Sequence, residues 1–413
     1  MSSLTPTPTR YIGLDLHKHY LIAIAVTPSG VQTGGPWRVT LDHLDAWAHQ
    51  HLTPLDALAV EITTNTYAVY DALVPIVHSV TVVHPPHLAL ITRVPVKTDN
   101  RAALVLAQFL AKGLLSALWI PPQVVREQRA TVAQRVKFTR LSTQAQNRLH
   151  AVLHRHHLPL PESGSPFTPA NRAWWQQLPV SASEQARLQA DLATMDFAEQ
   201  QIARLTQALA SDNAQDERVP LLIQLPGFSL VIALTVLAAI GDIGRFEDAK
   251  HLVGYSGLGA RVHDSGMLHR TGGITKAGRR DLRTALVQAA QTAANTHPHW
   301  QAELARLEPR LGRNKAIVAI ARKLLVAVWH VLTYQRADRF AEPALVARKL
   351  LKYAYKTGRA QHRPGQATAY VRKQLDRLQL GAELDHIARG KRSVRLPPSQ
   401  LASSAVAGDT GMA

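Results

Sequence analysis

Residues 11–113 switch between two hydrophobic periods. "YIGLDL" (11–16) and "YLIAIAV" (20–26) are short apolar runs separated by a turn at Lys18–His19, and they predict adjacent strands. "GPWRVTL" predicts a third strand, "LDHLDAWAHQHL" a short amphipathic helix, and "LDALAVEI" and "VTVVHP" two buried strands around the helix "NTYAVYDALVPIVHS". "NRAALVLAQFLAKG" predicts a helix stopped by Gly113. Strand pairing followed by strand–helix alternation predicts a three-layer α/β domain over residues 10–115.

The pattern then changes. Residues 123–157 carry a basic stripe and no strong breaker, which predicts one long helix. A Pro/Ser/Gly-rich stretch, "LPLPESGSPFTP", precedes a second helix over 182–210, where Leu188, Met195, Ile202 and Leu209 recur every seven residues. Glu199 and Thr206 interrupt the other seam position, so an antiparallel hairpin over 116–215 stands beside a dimeric coiled coil. Residues 216–340 predict a second, mostly helical unit. Within it Ile317, Ile320, Leu324, Val328 and Val331 follow helical spacing and belong in the core. Residues 341–395 read as a basic helical extension, with 13 Lys/Arg against 3 Asp/Glu over 348–395, and residues 396–413 as a disordered tail.

Composition narrows the partners. The net charge is +18 and the charge is clustered, which points to a polyanion, nucleic acid above all. There is no cysteine, so disulfides, thiolate nucleophiles and cysteine–zinc sites are excluded. The first residues lack a signal-peptide pattern, and "LVIALTVLAAIG" is too short to span a bilayer, so a cytoplasmic protein without a membrane segment is expected.

Three acids carry the candidate chemistry: Asp15 ends the first strand, Glu61 ends a buried strand, and Asp99 opens a helix. Acids set among apolar residues are costly unless paired or bound to a cation, and hard oxygen ligands suit Mg²⁺. Each also has an ordinary reading. Asp99 can be a helix N-cap, Glu61 half exposed, and Asp15 a partner of Lys18. A second cluster lies in "LVGYSGLGARVHDSGMLHRTGGITKAGRRDLRTAL", where Ser265–Gly266 precedes Lys276, Arg279, Arg280 and Arg283. A Ser-Gly loop lets backbone approach a phosphate, and the cations can hold one. His263, Asp264 and His269 are open choices for proton transfer. Gly227, in "LPGFSLVIAL", either presents N–H groups to a phosphate or packs in the core. His150 and His154 lack a third ligand and read as a basic helix end.

"YIGLDLHK", "AVEIT" and "KTD" before a helix resemble the N-terminal domain of the DEDD transposases of insertion sequences. Gly257–Leu258, Ser265–Gly266, Gly272–Gly273, Lys276, Gly278 and Arg283 resemble their second domain, and together the likeness covers residues 10–340. It implies a RuvC-like, ribonuclease-H-like first domain whose acids Asp15, Glu61 and Asp99 hold Mg²⁺, and Ser265 as a nucleophile forming a phosphoserine with DNA. The class carries a fourth acid one turn after the third, but here that position is Ala102, which leaves room for one ion rather than two. The likeness further implies donor and target DNA, a structured noncoding guide RNA, a homodimer or homotetramer, kinship with DNA invertases, and a nucleoid-associated place in the prokaryotic cytosol. Two rivals stand beside it: a RuvC-like nuclease cutting by metal-activated water, and a non-catalytic nucleic-acid binder.

Overall fold

Runs of consecutive buried residues along the first strands build a sheet with two covered faces. The computed structural model describes residues 7–84, 98–162, 164–265, 268–357, 365–389 and 392–401. They fall into two compact units, Met1–Pro121 and Pro122–Ala413.

In the first unit, β1 (Arg10–Leu16), β2 (Tyr20–Val26), β3 (Gln32–Thr40), β4 (Asp56–Glu61) and β5 (Ser79–Val83) form one sheet in the order β3-β2-β1-β4-β5. The β1–β2 and β2–β3 pairs are antiparallel, and β1–β4 and β4–β5 are parallel. One face buries Ile12, Leu14, Leu16, Leu58 and Val60 with Trp47 of α1 (Leu44–His51) and Val69 and Leu73 of α2 (Thr66–Leu73). The other face receives α3 (Asp99–Ala111), whose Ala103 and Ala107 meet Ile22, Ile24 and Val26. The result is the expected three-layer arrangement, and it depends on Gly13. A Cβ there would lie 2.0 Å from the Ala103 carbonyl oxygen and 2.6 Å from the Ala107 nitrogen, so only glycine lets α3 settle on β1.

The second unit begins with α4 (Gln123–Arg155). After a short helix, α5 (Arg172–Gln176), comes α6 (Ala182–Asp212). Gln128 bonds Asn213, Arg135 bonds Thr206, Arg148 bonds Asp191 and Arg155 bonds Glu184. The partner numbers fall as the α4 numbers rise, so α4 and α6 run antiparallel within one chain. Their seam buries Leu149, Val152, Leu188, Leu192 and Met195. Of the two expected arrangements, the hairpin is the one present. His150 sits edge-on against Phe167, as a helix-surface residue.

The larger core gathers α7 (Arg218–Ile223), α8 (Leu230–Ile240), α9 (Ala249–Ser256), α10 (Arg280–Thr296), α11 (Pro298–Leu311) and α12 (Arg313–Tyr334). All five apolar residues expected in the core of α12 are buried. By length and composition α12 could cross a membrane, but over half of it is buried inside the protein, as befits a core helix. Between α9 and α10 stands a two-stranded ribbon of β6 (Ala260–Ser265) and β7 (Leu268–Ile274), in a stretch where helices and a loop were expected. The extension holds α13 (Pro343–Lys356) and α14 (Gln366–Arg377), but it is not purely helical, because β8 (His386–Arg389) and β9 (Arg392–Arg395) form another ribbon. The disorder expected from residue 396 is corrected by Leu396, which is buried, and by Ser399, whose hydroxyl bonds Asp376. Short polar residues there find buried partners that a composition count does not register. Residues 402–413 lie outside the described residues.

Candidate active site

Asp15 lies on the sheet face that Gly13 opens to α3, two residues further along β1. At the far end of the sheet Asp56 is fully buried, whereas Asp15 is half-buried; Arg10 satisfies Asp56 through two bonds of 2.7 Å, so it has no carboxylate left for a ligand. Among the described residues Asp15 has no such arginine. Its Oδ2 lies 3.1 Å from His17 Nε2, and the same nitrogen is 3.2 Å from Asp99 Oδ2. The Tyr20 hydroxyl donates to that Asp99 oxygen at 3.0 Å. One ligand atom from each of Asp15, His17 and Asp99 lies within 4.8 Å of the other two.

Local structure fixes each member. The His17 N–H donates to the Tyr20 carbonyl at 2.8 Å, its carbonyl accepts from Asn65 Nδ2 at 2.9 Å, and its ring stacks on Tyr20 with centroids 4.7 Å apart. Thr98, rather than Asp99, caps α3, accepting from the Arg101 N–H. The Asp99 carboxylate is thereby free to turn toward the cluster while still sitting at the positive end of the helix. The expected Asp15–Lys18 pairing gives way to His17, which shares the Asp15 side of the strand end. Burial pushes the Asp15 carboxyl above its ordinary value, with Asp99 adding to the rise and His17 opposing it. The hydrogen bond to Asp99 holds the Tyr20 hydroxyl above its ordinary value. A group of acids that resists a second negative charge is one that a divalent cation relieves.

Glu61 ends β4, one residue past the Leu14–Val60 pair and therefore beside Asp15 in the sheet. It is half-buried, and it is not among the three residues that converge within 4.8 Å. Ala102 is half-buried one turn after Asp99, with its N–H spent on the Thr98 carbonyl, and offers no ligand. His17 and Tyr20 were not singled out in the sequence. The available signal was Asp-x-His at a strand end, since alternate residues share a face.

Ser265 is the last residue of β6 and is paired in register with Leu268, so it stands at the tip of the ribbon; Gly266 lies outside the described residues. The expected glycine-rich motif proves to be the clasp at the ribbon's base. Gly257 ends α9 with φ +70°, and Gly278 packs where a Cβ would lie 2.3 Å from the Tyr255 carbonyl oxygen. Lys276 N–H donates to the Gly257 carbonyl, Arg279 N–H to Tyr255, and Arg283 Nη1 to Ser256 at 2.8 Å. Ser256 is fully buried with its hydroxyl bonded to the Val253 carbonyl, which makes it a helix-end residue as expected. The cations thus divide. Lys276 and Arg280 are exposed, Arg279 pairs with Asp281, and Arg283 holds the clasp. Gly227 has φ +77°, and a Cβ there would lie 2.0 Å from the Ala289 carbonyl oxygen. Ser229 caps α8 by accepting from the Ile232 N–H, so the turn is held by core packing.

A DEDD transposase family model of the IS110 type, described as a transposase, matches residues 12–158. A second model, described as the transposase IS116/IS110/IS902 family, matches residues 219–305. The chain belongs to the DEDD transposases of insertion sequences. It is similar to the protein y4qE of Sinorhizobium fredii, named provisionally as a transposase, at 27% identity over 84% of this chain and 88% of that one. It is also similar to the pilin gene-inverting protein of Moraxella bovis, at 36% identity over 29% of this chain and 38% of that one. The transposase for insertion sequence element IS1111A of Coxiella burnetii matches at 35% identity over 32% of this chain and 36% of that one. These last two matches span little more than a third of the relatives' length. Members of the family named for inverting a gene and for moving an element place the chain among DNA transposases and recombinases.

Proposed function

We propose that this transposase family member cuts and rejoins DNA through a phosphoserine at Ser265, assisted by one divalent ion on the RuvC-like first unit. The observation that carries the reading is the convergence of Asp15, His17 and Asp99 at the C-terminal end of β1, in a chain whose family matches fall in both units. Two carboxylate oxygens and one imidazole nitrogen fit a single ion, with Glu61 at the neighbouring strand end as a further ligand of the bound state. When bound, the ion supplies Lewis-acid polarisation of a phosphodiester oxygen. Magnesium is the expected ion, and Ala102 leaves no carboxylate for a second.

The serine step balances as a transesterification. The Ser265 oxygen bonds to the scissile phosphorus, the bond to a deoxyribose oxygen breaks, and the serine proton ends on that oxygen. An incoming deoxyribose hydroxyl then reverses the exchange and frees the serine. Lys276 and Arg280, exposed beside the clasp, contact backbone phosphates, while Arg279 and Arg283 position the ribbon. A structured noncoding RNA as guide and a dimer or tetramer as the working assembly complete the reading, since two strands at two sites must be handled.

The test is covalent capture. Protein, candidate RNA, donor and target DNA are incubated with Mg²⁺ or Mn²⁺, and a protein–DNA adduct is mapped by mass spectrometry. An adduct on Ser265 that is lost in Ser265→Ala supports the reading. One rival, a metal-dependent nuclease acting through water, would use the same acidic cluster. Cleavage that survives Ser265→Ala without any adduct would establish that rival instead.

A further inference from the structure

Helix α13 is two-faced. Val346, Ala347, Leu350, Leu351, Tyr353 and Ala354 are buried in the core of the second unit. Arg348, Lys352 and Lys356 are exposed and recur every four residues, so they form one row about 12 Å long on the opposite side. Like charges at this spacing repel and destabilise a helix. Among the described residues no carboxylate pairs with any of the three. No described carboxylate therefore offsets the repulsion along the row.

Cavities lie on both sides of it and share Lys352 and Lys356. One, of about 650 Å³, is walled by Arg348, Tyr355 and Ile387. The other, of about 480 Å³, is walled by the Gly227 turn, Thr292 and Lys349. Lys349 is tied inward, donating to the Ile223 and Leu225 carbonyls at 3.0 and 2.8 Å. Burial pushes its ammonium down to about 8, so the wall is one that an anion stabilises. Gln207 of α6 bonds the Lys356 carbonyl at 3.0 Å and pins the helix end beneath the row. Tyr355, 46% exposed, presents an aromatic ring next to the cations.

A row of cations suits a repeating anion rather than a single one, whose donors would converge on a point. Flanking pockets with apolar walls suit unstacked bases, which a duplex does not offer. We infer that the groove across α13 is a second nucleic-acid site, taking the backbone phosphates of a single strand on Arg348, Lys352 and Lys356 and its bases in the flanking cavities. The site does not depend on the phosphoserine chemistry, and the two readings fail separately.

The test uses the full chain and labelled 20-nucleotide probes: single-stranded RNA, single-stranded DNA and a DNA duplex, with anisotropy read over a salt series. Lys352→Glu/Lys356→Glu is expected to weaken single-strand binding by about 10²-fold and to lower the salt slope by about two. Lys352→Gln/Lys356→Gln, a milder change, is expected to fall between it and the wild type with an unaltered thermal midpoint. The two single-strand arms show whether the occupant is RNA or DNA. Wild-type affinity and slope in both lysine variants would overturn the site. So would a loss confined to the duplex, or anionic phosphatidylserine vesicles binding through the same lysines while single strands do not.

Discussion

The two candidate centres of this chain are held in opposite ways. Asp15, His17 and Asp99 are fixed by a five-stranded sheet, a capped helix and a glycine contact that brings α3 onto β1. Ser265 stands at the tip of a two-stranded ribbon, which is marginal as a structure on its own. Its order comes from the base, where Gly257, Gly278 and Arg283 join α9 to α10. The difference is chemical as well as mechanical. A metal site loses affinity when its ligands are free to scatter, so rigidity belongs there. A nucleophile that must reach a phosphate on a large substrate is served by a supported but slender mount.

The sharpest way to separate the centres is to disable each. Asp15→Asn and Ser265→Ala are both expected to lower strand cleavage by on the order of 10³-fold or more. Only Asp15→Asn should also abolish Mn²⁺ binding in calorimetry, and loss of metal from the serine variant would erase the distinction. Next in size is the support. Gly13→Val places a side chain against the α3 backbone and should cost about 3 kcal/mol or more, read as a lower denaturation midpoint. A tolerated valine would mean the cluster is not held by that contact.

His17→Ala should weaken metal binding by about 10–100-fold and reduce any preference for Mn²⁺ over Mg²⁺, because imidazole suits transition ions better than magnesium. Ala102→Asp should shift the preference the other way, by about tenfold at the lower end of such effects. An unchanged ratio in both variants would remove His17 from the ligand set. The smallest effect tests the helical frame. Glu303 pairs with Arg306 and Lys323, and the hydrogen bond from Arg306 leads in holding its carboxyl down at about 2. A depressed carboxyl stabilises the fold above its unfolded value near 4.5 and loses that contribution as pH falls through about 2. Glu303→Gln should therefore lower the midpoint at pH 7 by no more than about 1 kcal/mol in stability, with the gap closing between pH 4.5 and 2.

Much of the first unit was legible because its chemistry rides on periodicity. Each described strand and helix of residues 10–115 was visible as a period, and the end of β1 and the start of α3 bring Asp15 and Asp99 together, while Glu61 at the end of β4 stays outside the converging group. The ribbon carrying Ser265 was not legible. "GARVHDSG" and "MLHRTGGI" are short and polar and show little alternation, so their pairing depends on the clasp and not on a hydrophobic face. The motif was found, but its residues could not be divided into clasp and contact. Arg283 reads as a phosphate ligand until its guanidinium is seen on the Ser256 carbonyl.

By itself the sequence determined the order of elements in the first unit and the long helices of the second, the surplus of positive charge, the absence of an acid at 102 and the residue types available for chemistry. These are properties of composition and local period. Only the tertiary structure decided that His17 is the third member of the acidic cluster, that Thr98 and not Asp99 caps α3, and that Gly227 is held by packing. Nor could spacing alone show that Arg348, Lys352 and Lys356 stand between two cavities. Each of these depends on which backbones approach one another, and a linear sequence states neighbours along the chain but not across it.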